Sequence, residues 1–268
     1  MAPKQPRAKP TKKEKTEVEK MSEPRHNMVV FLDPENKLAI DYGGNMEFLR
    51  RSRIAHATSQ EHTSYITLIK AFWESTSVQK VNNEEVIHAK INEQDVTVFE
   101  HVIRIVLRFE DTRADPTTIS TRCQQGCLLR IKCNGDNLAG QLNQETLPLQ
   151  YKFFLHVLIQ CLCTRRVGCD MANSSLLGLM TVLTLNKSFN ISCFILYNMK
   201  ENLGRRGGNL TKFWMYPIFV QMIKDSQLPN LPKDEKDVLK IDVMMQHSLV
   251  MFKKMSKYTE STPRCLDF

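Results

Sequence analysis

Four segments in the second half of the chain place apolar residues at every third or fourth position, and this pattern constrains the fold most. They begin at Pro148, Met171, Asn190 and Leu210, and the last is expected to kink or split at Pro217. Such a spacing matches the period of an α-helix. The two middle segments are apolar on nearly every side, so we predict that they are buried among other helices.

The first half of the chain continues the helical pattern with one interruption. Further helices are predicted over 45–57, 59–74 and 100–109, and a last amphipathic helix over 235–255. Asn45 is the expected N-cap of the first, and Trp73 lies on a stripe that we expect to be buried. Between 77 and 99 the apolar residues alternate between polar breaks, which favours a β-hairpin or a small meander. The predicted fold class is mainly α: a single helical-bundle domain with a small inserted β-hairpin.

Charge divides the chain into three parts. Its 268 residues carry 37 Lys and Arg against 29 Asp and Glu, a net charge of +8, and 42% of them are hydrophobic, enough for a sizeable core. Residues 1–25 hold eight of the cations, four of the acids and almost nothing to bury, so we expect a disordered basic arm. Residues 26–255 form the predicted helical domain, and residues 256–268 form a polar tail.

The arm supplies most of the candidate nucleic-acid contacts. Its cations in this role are Lys4, Arg7, Lys9, Lys12, Lys13 and Lys15. Such a tail is typical of nuclear import or of RNA or DNA binding, and the alternative of a solubilising terminus stays open. Arg205 and Arg206 lie in a glycine-rich loop that suits phosphate contacts. A third basic cluster is Arg50, Arg51 and Arg53, and a fourth is Arg165–Arg166 at an expected helix end, where cations are stabilising.

Metal, cofactor and catalytic patterns are missing from the sequence. The eight cysteines have the spacings C-x3-C-x5-C and C-x-C-x5-C, which match no zinc template, and Cys161 and Cys163 lie in an apolar run that favours buried thiols. A phosphate loop, a dinucleotide fingerprint, a serine-hydrolase elbow and a metalloprotease helix are all absent. We expect His156 to be a core histidine. The predictions are no metal, no cofactor, no small-molecule substrate and no enzymatic activity.

The location of the protein is predicted from two further absences. The first twenty residues contain no apolar stretch of the kind that a secretory signal needs. The longest charge-free apolar segments are shorter than the ~20 residues that a membrane span requires. We therefore expect an intracellular protein, cytoplasmic or nuclear or both, that has no membrane partner.

Several segments taken together resemble a large family of plant retrotransposon-encoded proteins, described as gag-like or as putative plant transposon proteins. The segments are His26–Val29, Tyr65–Trp73, Ile87–Ile91, Lys152–His156 with Ile159–Leu162, Phe189–Ser192, and Lys212–Pro217 ending in Leu228–Pro232. The resemblance covers about residues 26–232 and implies a non-enzymatic structural or nucleic-acid-associated protein. The chain differs from a full gag polyprotein because it has no zinc knuckle and no aspartic-protease D-[ST]-G motif.

Two functional hypotheses follow. The first is a retroelement-derived, gag-like protein that assembles with itself and associates with nucleic acid. The second is a host-type module whose helical surface binds another protein. Self-association promoted by nucleic acid would distinguish the first hypothesis from the second.

Overall fold

The computed structural model describes residues 27–30, 39–133, 141–163, 171–204, 214–240 and 243–244. The α-helices in these ranges are α1 (Ala39–Arg51), α2 (Ala55–Ser59), α3 (Ile66–Ser75), α4 (Glu100–Leu107), α5 (Thr121–Arg130), α6 (Leu149–Val157), α7 (Ser174–Thr184), α8 (Ile191–Gly204) and α9 (Pro217–Gln227). A π-helical turn, Leu158–Leu162, continues α6. The described fold is therefore mostly helical, as predicted.

The strands of the described residues form small sheets of two or three strands. They are β1 (Val29–Val30), β2 (Ser64–Tyr65), β3 (Ser77–Val81), β4 (Glu84–Ile91), β5 (Gln94–Val98), β6 (Gln141–Asn143), β7 (Met171–Asn173), β8 (Val238–Leu239) and β9 (Val243–Met244). Strand β1 pairs in parallel with β9, while β2 with β8 and β6 with β7 are antiparallel pairs. The only convincing β signal in the sequence lies between 77 and 99, although the apolar run 28–32 also allowed a strand, so the pairings of β2 with β8 and β6 with β7 are additions to it.

The predicted β region is a three-stranded antiparallel meander in the order β3-β4-β5. Two-residue turns connect its strands, and Asn82, Asn83, Asn92 and Glu93 all have positive φ. Positive φ at both turn residues is typical of the tight turns that match the twist of a hairpin. One face of β4 packs against α3. Its side chains Ile87, Ala89 and Ile91 are fully buried.

The core confirms part of the burial predicted from the helical pattern. Trp73 is 1% exposed, and its Nε1 donates a hydrogen bond to the backbone oxygen of Met215 at 3.0 Å. Helix α7 is buried at every position from Leu176 to Thr184. Helix α8 is different, since Tyr197 is 54% exposed on one side of it, so the prediction that this segment is buried all round was wrong.

Several predicted helix boundaries were wrong for local reasons. The helix predicted over 59–74 begins at Ile66, because Ser64 and Tyr65 form β2. Helix α1 begins at Ala39, and Asn45 lies inside it instead of capping it. The buried Asn45 amide donates to the backbone oxygen of Gln150 at 2.7 Å, so an interior partner replaces the expected capping role. Pro217 starts α9 instead of kinking a longer helix, because the first turn of a helix does not need the missing N–H of proline.

The helix predicted over 235–255 is contradicted where the structure describes it. Residues 235–237 form a 3-10 turn, and β8 and β9 follow. Strand β8 pairs with β2, which places Leu239 beside Ser64 and buries it. Pairing with a distant strand has therefore overridden the local helical pattern. Residues 245–255 lie outside the described residues.

Candidate nucleic-acid interface

Some of the basic residues proposed from the sequence belong to the described residues, and others do not. The arm cations Lys4, Arg7, Lys9, Lys12, Lys13 and Lys15, together with Arg205 and Arg206, lie outside them, as do Arg165 and Arg166. Arg50, Arg51 and Arg53 are described. The geometry of a candidate site is therefore built from these three arginines and the residues that the fold brings to them.

The C-terminal end of α1 holds two of the arginines around one carboxylate. Glu47 accepts from Arg50 Nη1 at 2.8 Å and from Arg51 Nε at 2.6 Å. These contacts are spaced at three and four residues, so they lie along one side of the helix. The Arg51 side chain is still 78% exposed, and exposed pairs of this kind contribute little to stability. One negative charge thus faces two positive ones here.

Arg53 joins this helix end to the end of α7. Its Nη2 donates to the backbone oxygen of Lys187 at 2.5 Å, across 134 residues of sequence. Lys187 closes α7 with Asn186: Lys187 N donates to Val182 O at 2.8 Å, and Asn186 has a φ of 46°. These bonds form a Schellman cap, which turns the chain sharply after the helix. The exposed Lys187 is therefore held beside Arg53.

Arg108 reaches the same region from the end of α4. It has a φ of 54°, in the left-handed region, and the adjacent Phe109 N donates to Arg104 O at 3.0 Å. His56 of α2 lies close to it: burial and the charge of Arg108 lower the pKa of His56, while a hydrogen bond with the backbone of Val106 opposes the shift. Arg108 therefore lies near His56, which follows Arg53 by three residues.

We name these five cations, Arg50, Arg51, Arg53, Arg108 and Lys187, the basic cluster. Glu47 is the acid that contacts two of them, and Glu110 is exposed two residues after Arg108. These five cations lie at three helix ends, and Glu47 pairs with two of them. Guanidinium and ammonium groups on an exposed surface suit contacts with phosphate.

Sequence reasoning found three members of the basic cluster and missed Arg108 and Lys187. Neither residue has a basic neighbour within two positions, so no local pattern marks them. The only local signal is that each follows an apolar helical segment, where cations also stabilise the helix C-terminus. Stabilisation of a helix C-terminus explains why each cation follows its helix. It does not explain why the residues after α1 and after α7 lie together.

Two other charged groups of the described residues serve the fold. Asp111 is buried and accepts from Arg104 Nε at 2.6 Å, from Ser192 N at 2.6 Å and from Ser192 Oγ at 2.9 Å. Arg104 also bonds to Glu100 at 2.5 Å. The Asp111 carboxylate thus accepts from a backbone N–H in the first turn of α8, and Arg104 balances its charge.

Asp225 in α9 connects three separate parts of the chain. Its carboxylate lies 2.8 Å from His62 Nε2 and 3.1 Å from Lys233 Nζ, and it also contacts Lys224 and Gln221. Burial alone would raise the pKa of Asp225, but hydrogen bonds from Lys224, His62, Gln221 and Lys233 outweigh it and lower the pKa to about 2. The buried ammonium of Lys224 is paired within this group, so we interpret the group as structural.

The described cysteines show buried-thiol character where the sequence predicted it. Cys161 is fully buried and Cys163 nearly so, and burial raises the pKa of Cys161. Burial also raises the pKa of Cys127. Within the described ranges, no three His, Cys, Asp or Glu side chains are grouped as metal ligands would be. Over the same ranges, none of the helices combines the length and apolar character needed to span a bilayer.

Comparison of the chain with protein-family models, with curated proteins and with solved structures found no match in any of the three.

Proposed function

We propose that this chain is a non-enzymatic, gag-like protein of retroelement origin, with a helical-bundle body, that associates with RNA or DNA and with further copies of itself. The observation that carries the proposal is the basic cluster, in which Arg53 bonds to the backbone of Lys187 and Arg108 lies near His56. The charge of the arm and the resemblance of residues 26–232 to gag-like proteins of plant retroelements support it.

The cluster would contact the phosphate backbone and not the base edges. Its cations lie at three helix ends, while direct base reading requires an element that enters a groove. The affinity should therefore depend strongly on salt and weakly on sequence, because each phosphate contact releases bound counterions. The arm and the loop that contains Arg205 and Arg206 would add further contacts of the same kind.

A matched pair of triple variants tests the cluster. Changing Arg51, Arg108 and Lys187 to Gln should weaken binding to a single-stranded RNA and reduce the slope of log Kd against log salt by about 2. The control changes the exposed cations Lys90, Arg122 and Lys236 to Gln and removes the same charge. Equal effects from the two variants would mean that only net charge matters, which would contradict a role for the cluster.

Deletion of residues 2–20 tests the arm separately. The deletion removes seven of the arm's eight cations, including all six candidate contacts, and should abolish most binding while flattening its salt dependence. Fluorescence anisotropy with the same RNA over a salt series measures both quantities. An arm-deleted protein that binds as tightly, with the same slope, would show that the arm is not a contact.

A different observation favours the second candidate, a protein-binding module. Ile105 of α4 is 71% exposed and Tyr197 of α8 is 54% exposed, and these two helices pack against each other. Exposed apolar and aromatic side chains are typical of protein-binding surfaces. Changing both residues to Ser should leave RNA binding unchanged, and it should reduce association with another protein only if this second candidate is correct.

A further inference from the structure

Strand β3 forms one edge of the meander and is exposed along most of its length. Ser77, Val78, Gln79 and Lys80 are all exposed, and Val78 keeps 44% of its surface accessible although its neighbour Ile87 is fully buried. Within the described residues, β4 is the only strand that pairs with β3. An edge of this kind offers backbone N–H and C=O groups to a further strand.

The opposite edge of the meander is capped at one residue, Thr97. Gln227, at the end of α9, accepts from the Thr97 N–H at 3.0 Å and donates its Nε2 to the Thr97 oxygen at 2.8 Å. The side-chain amide thus takes both backbone groups of Thr97, as a neighbouring strand would. No hydrogen bond of this kind reaches the outer edge of β3 from the described residues.

The turn between β3 and β4 determines which backbone groups of β3 point outward. Val81 and Glu84 flank the two turn residues Asn82 and Asn83, so they form the closing hydrogen-bonded pair of the hairpin. Hydrogen-bonded and non-hydrogen-bonded pairs alternate along an antiparallel ladder. Ser77, Gln79 and Val81 therefore bond to β4, while Val78 and Lys80 turn their N–H and C=O groups outward.

We propose that β3 pairs antiparallel with β3 of a second copy of this chain, about a two-fold axis at Gln79. Val78 of each copy then lies opposite Lys80 of the other, and their outward groups form four backbone hydrogen bonds. The aliphatic stem of each Lys80 covers an exposed Val78, and no like charges lie directly opposite each other. This inference gives a surface to the self-association in the proposed function, on which it rests for its role in the cell.

The pairing is small, and this sets its expected strength. Two strands of five residues bury less surface than a standard stable interface of about 1,600 Å². The isolated dimer should therefore be weak and should depend on concentration. Copies bound along one nucleic acid are held at a high effective concentration, which would make the same contact productive.

Cross-linking tests the register directly. In the proposed pairing Gln79 faces its own copy as a non-hydrogen-bonded pair, whose Cα atoms are about 4.5 Å apart, within the range of a disulfide. Ser77 lies about 13 Å from its own copy. Under oxidised glutathione, Gln79→Cys should form a linked dimer well above the native background, and Ser77→Cys should not. Equal linking of both variants, or no linking above the background, would overturn the proposal.

Two substitutions at Val78 give opposite expected effects from one exposed position. Val78→Lys places a second ammonium opposite Lys80 of the other copy, so it should weaken the dimer, while Val78→Glu places a carboxylate there and should strengthen it. Each pair occurs twice in the interface, so we expect changes on the order of tenfold in the dimer dissociation constant, measured by sedimentation equilibrium. The same direction of change for both variants would contradict the pairing.

These measurements are made first without nucleic acid, which separates the two proposals. A specific Gln79→Cys cross-link in a protein that does not bind RNA would uphold the pairing and contradict the nucleic-acid function. Binding of RNA without the cross-link would do the reverse. With both intact, RNA should increase the yield of the linked Gln79→Cys dimer.

Discussion

Arg108, a member of the basic cluster, adopts a backbone conformation that costs energy. Its φ of 54° places it at the left-handed cap position of α4, which glycine occupies most easily. A side chain there costs about 1 kcal/mol relative to glycine. Strained residues persist where the surrounding structure or a function retains them.

We therefore expect Arg108→Gly to stabilise the fold and weaken RNA binding at the same time. The free energy of unfolding should rise by about 1 kcal/mol, and the salt slope of binding should fall by about 1. Lys132 provides the control, because it has a φ of 56° at the same cap position of α5. Lys132→Gly should give the gain in urea unfolding without the loss of binding. A similar loss of binding in both variants would contradict the assignment of Arg108.

At the scale of elements, Asp111 connects the loop after α4 to the start of α8. It accepts two hydrogen bonds from Ser192 and one from Arg104 while it is almost completely buried. Removal of one member of a buried charged network leaves the others without compensation. The packing of α8 against α4 should therefore depend on this one carboxylate.

Asp111→Asn should lower the free energy of unfolding by about 2–3 kcal/mol, because Arg104 loses the buried one of its two carboxylate partners and Ser192 loses a charged acceptor. Asp115→Asn is the matched control. Asp115 accepts a hydrogen bond from the Thr112 N–H in an exposed turn, so its loss should cost less than about 1 kcal/mol. Urea unfolding followed by circular dichroism measures both. Equal costs would mean that the Asp111 network does not hold α8.

At the scale of the whole molecule, stability should fall in two steps as the pH decreases. Burial lowers the pKa of His156 to about 4, from an ordinary value of 6.5. The unfolded chain therefore binds this proton first, and stability decreases from about pH 6.5 to pH 4, by about 3 kcal/mol at most. The lowered pKa of Asp225 gives a second loss as the pH falls from about 4 to 2, since its ion pairs stabilise the fold only while it is charged.

His156→Gln should remove most of the first step, because the variant carries no titrating ring at this half-buried position, and His56, whose pKa burial also lowers, contributes the smaller remainder. Unfolding midpoints in urea between pH 7 and pH 4 would show a flatter profile for the variant than for the native chain. His101→Gln is the control, since His101 is exposed. A native-like slope in the His156 variant would assign the first step to other groups.

The sequence predicted the described fold where a long periodic pattern existed. The meander, the buried Trp73 and the buried α7 all rest on patterns of eight or more residues. The pairings of β1 with β9 and β2 with β8 involve two residues on each strand, which is too short for any period to appear. The same explanation applies to the basic cluster. The sequence showed Arg50, Arg51 and Arg53 because they are neighbours in the chain, and it did not show Arg108 and Lys187 because they are distant from them in sequence.

The contacts of the first described segment determine when it can fold during synthesis. Asn27 Oδ1 accepts from the backbone N–H groups of Ile218 and Phe219, and Met28 N donates to Gln160 O at 3.0 Å. At about 5–20 residues per second, a ribosome makes Phe219 roughly 10–40 seconds after Asn27. During that interval, the growing chain carries a segment whose final binding site has not been made. The segment at 27–30 must therefore dock late, after most of the body has left the ribosome.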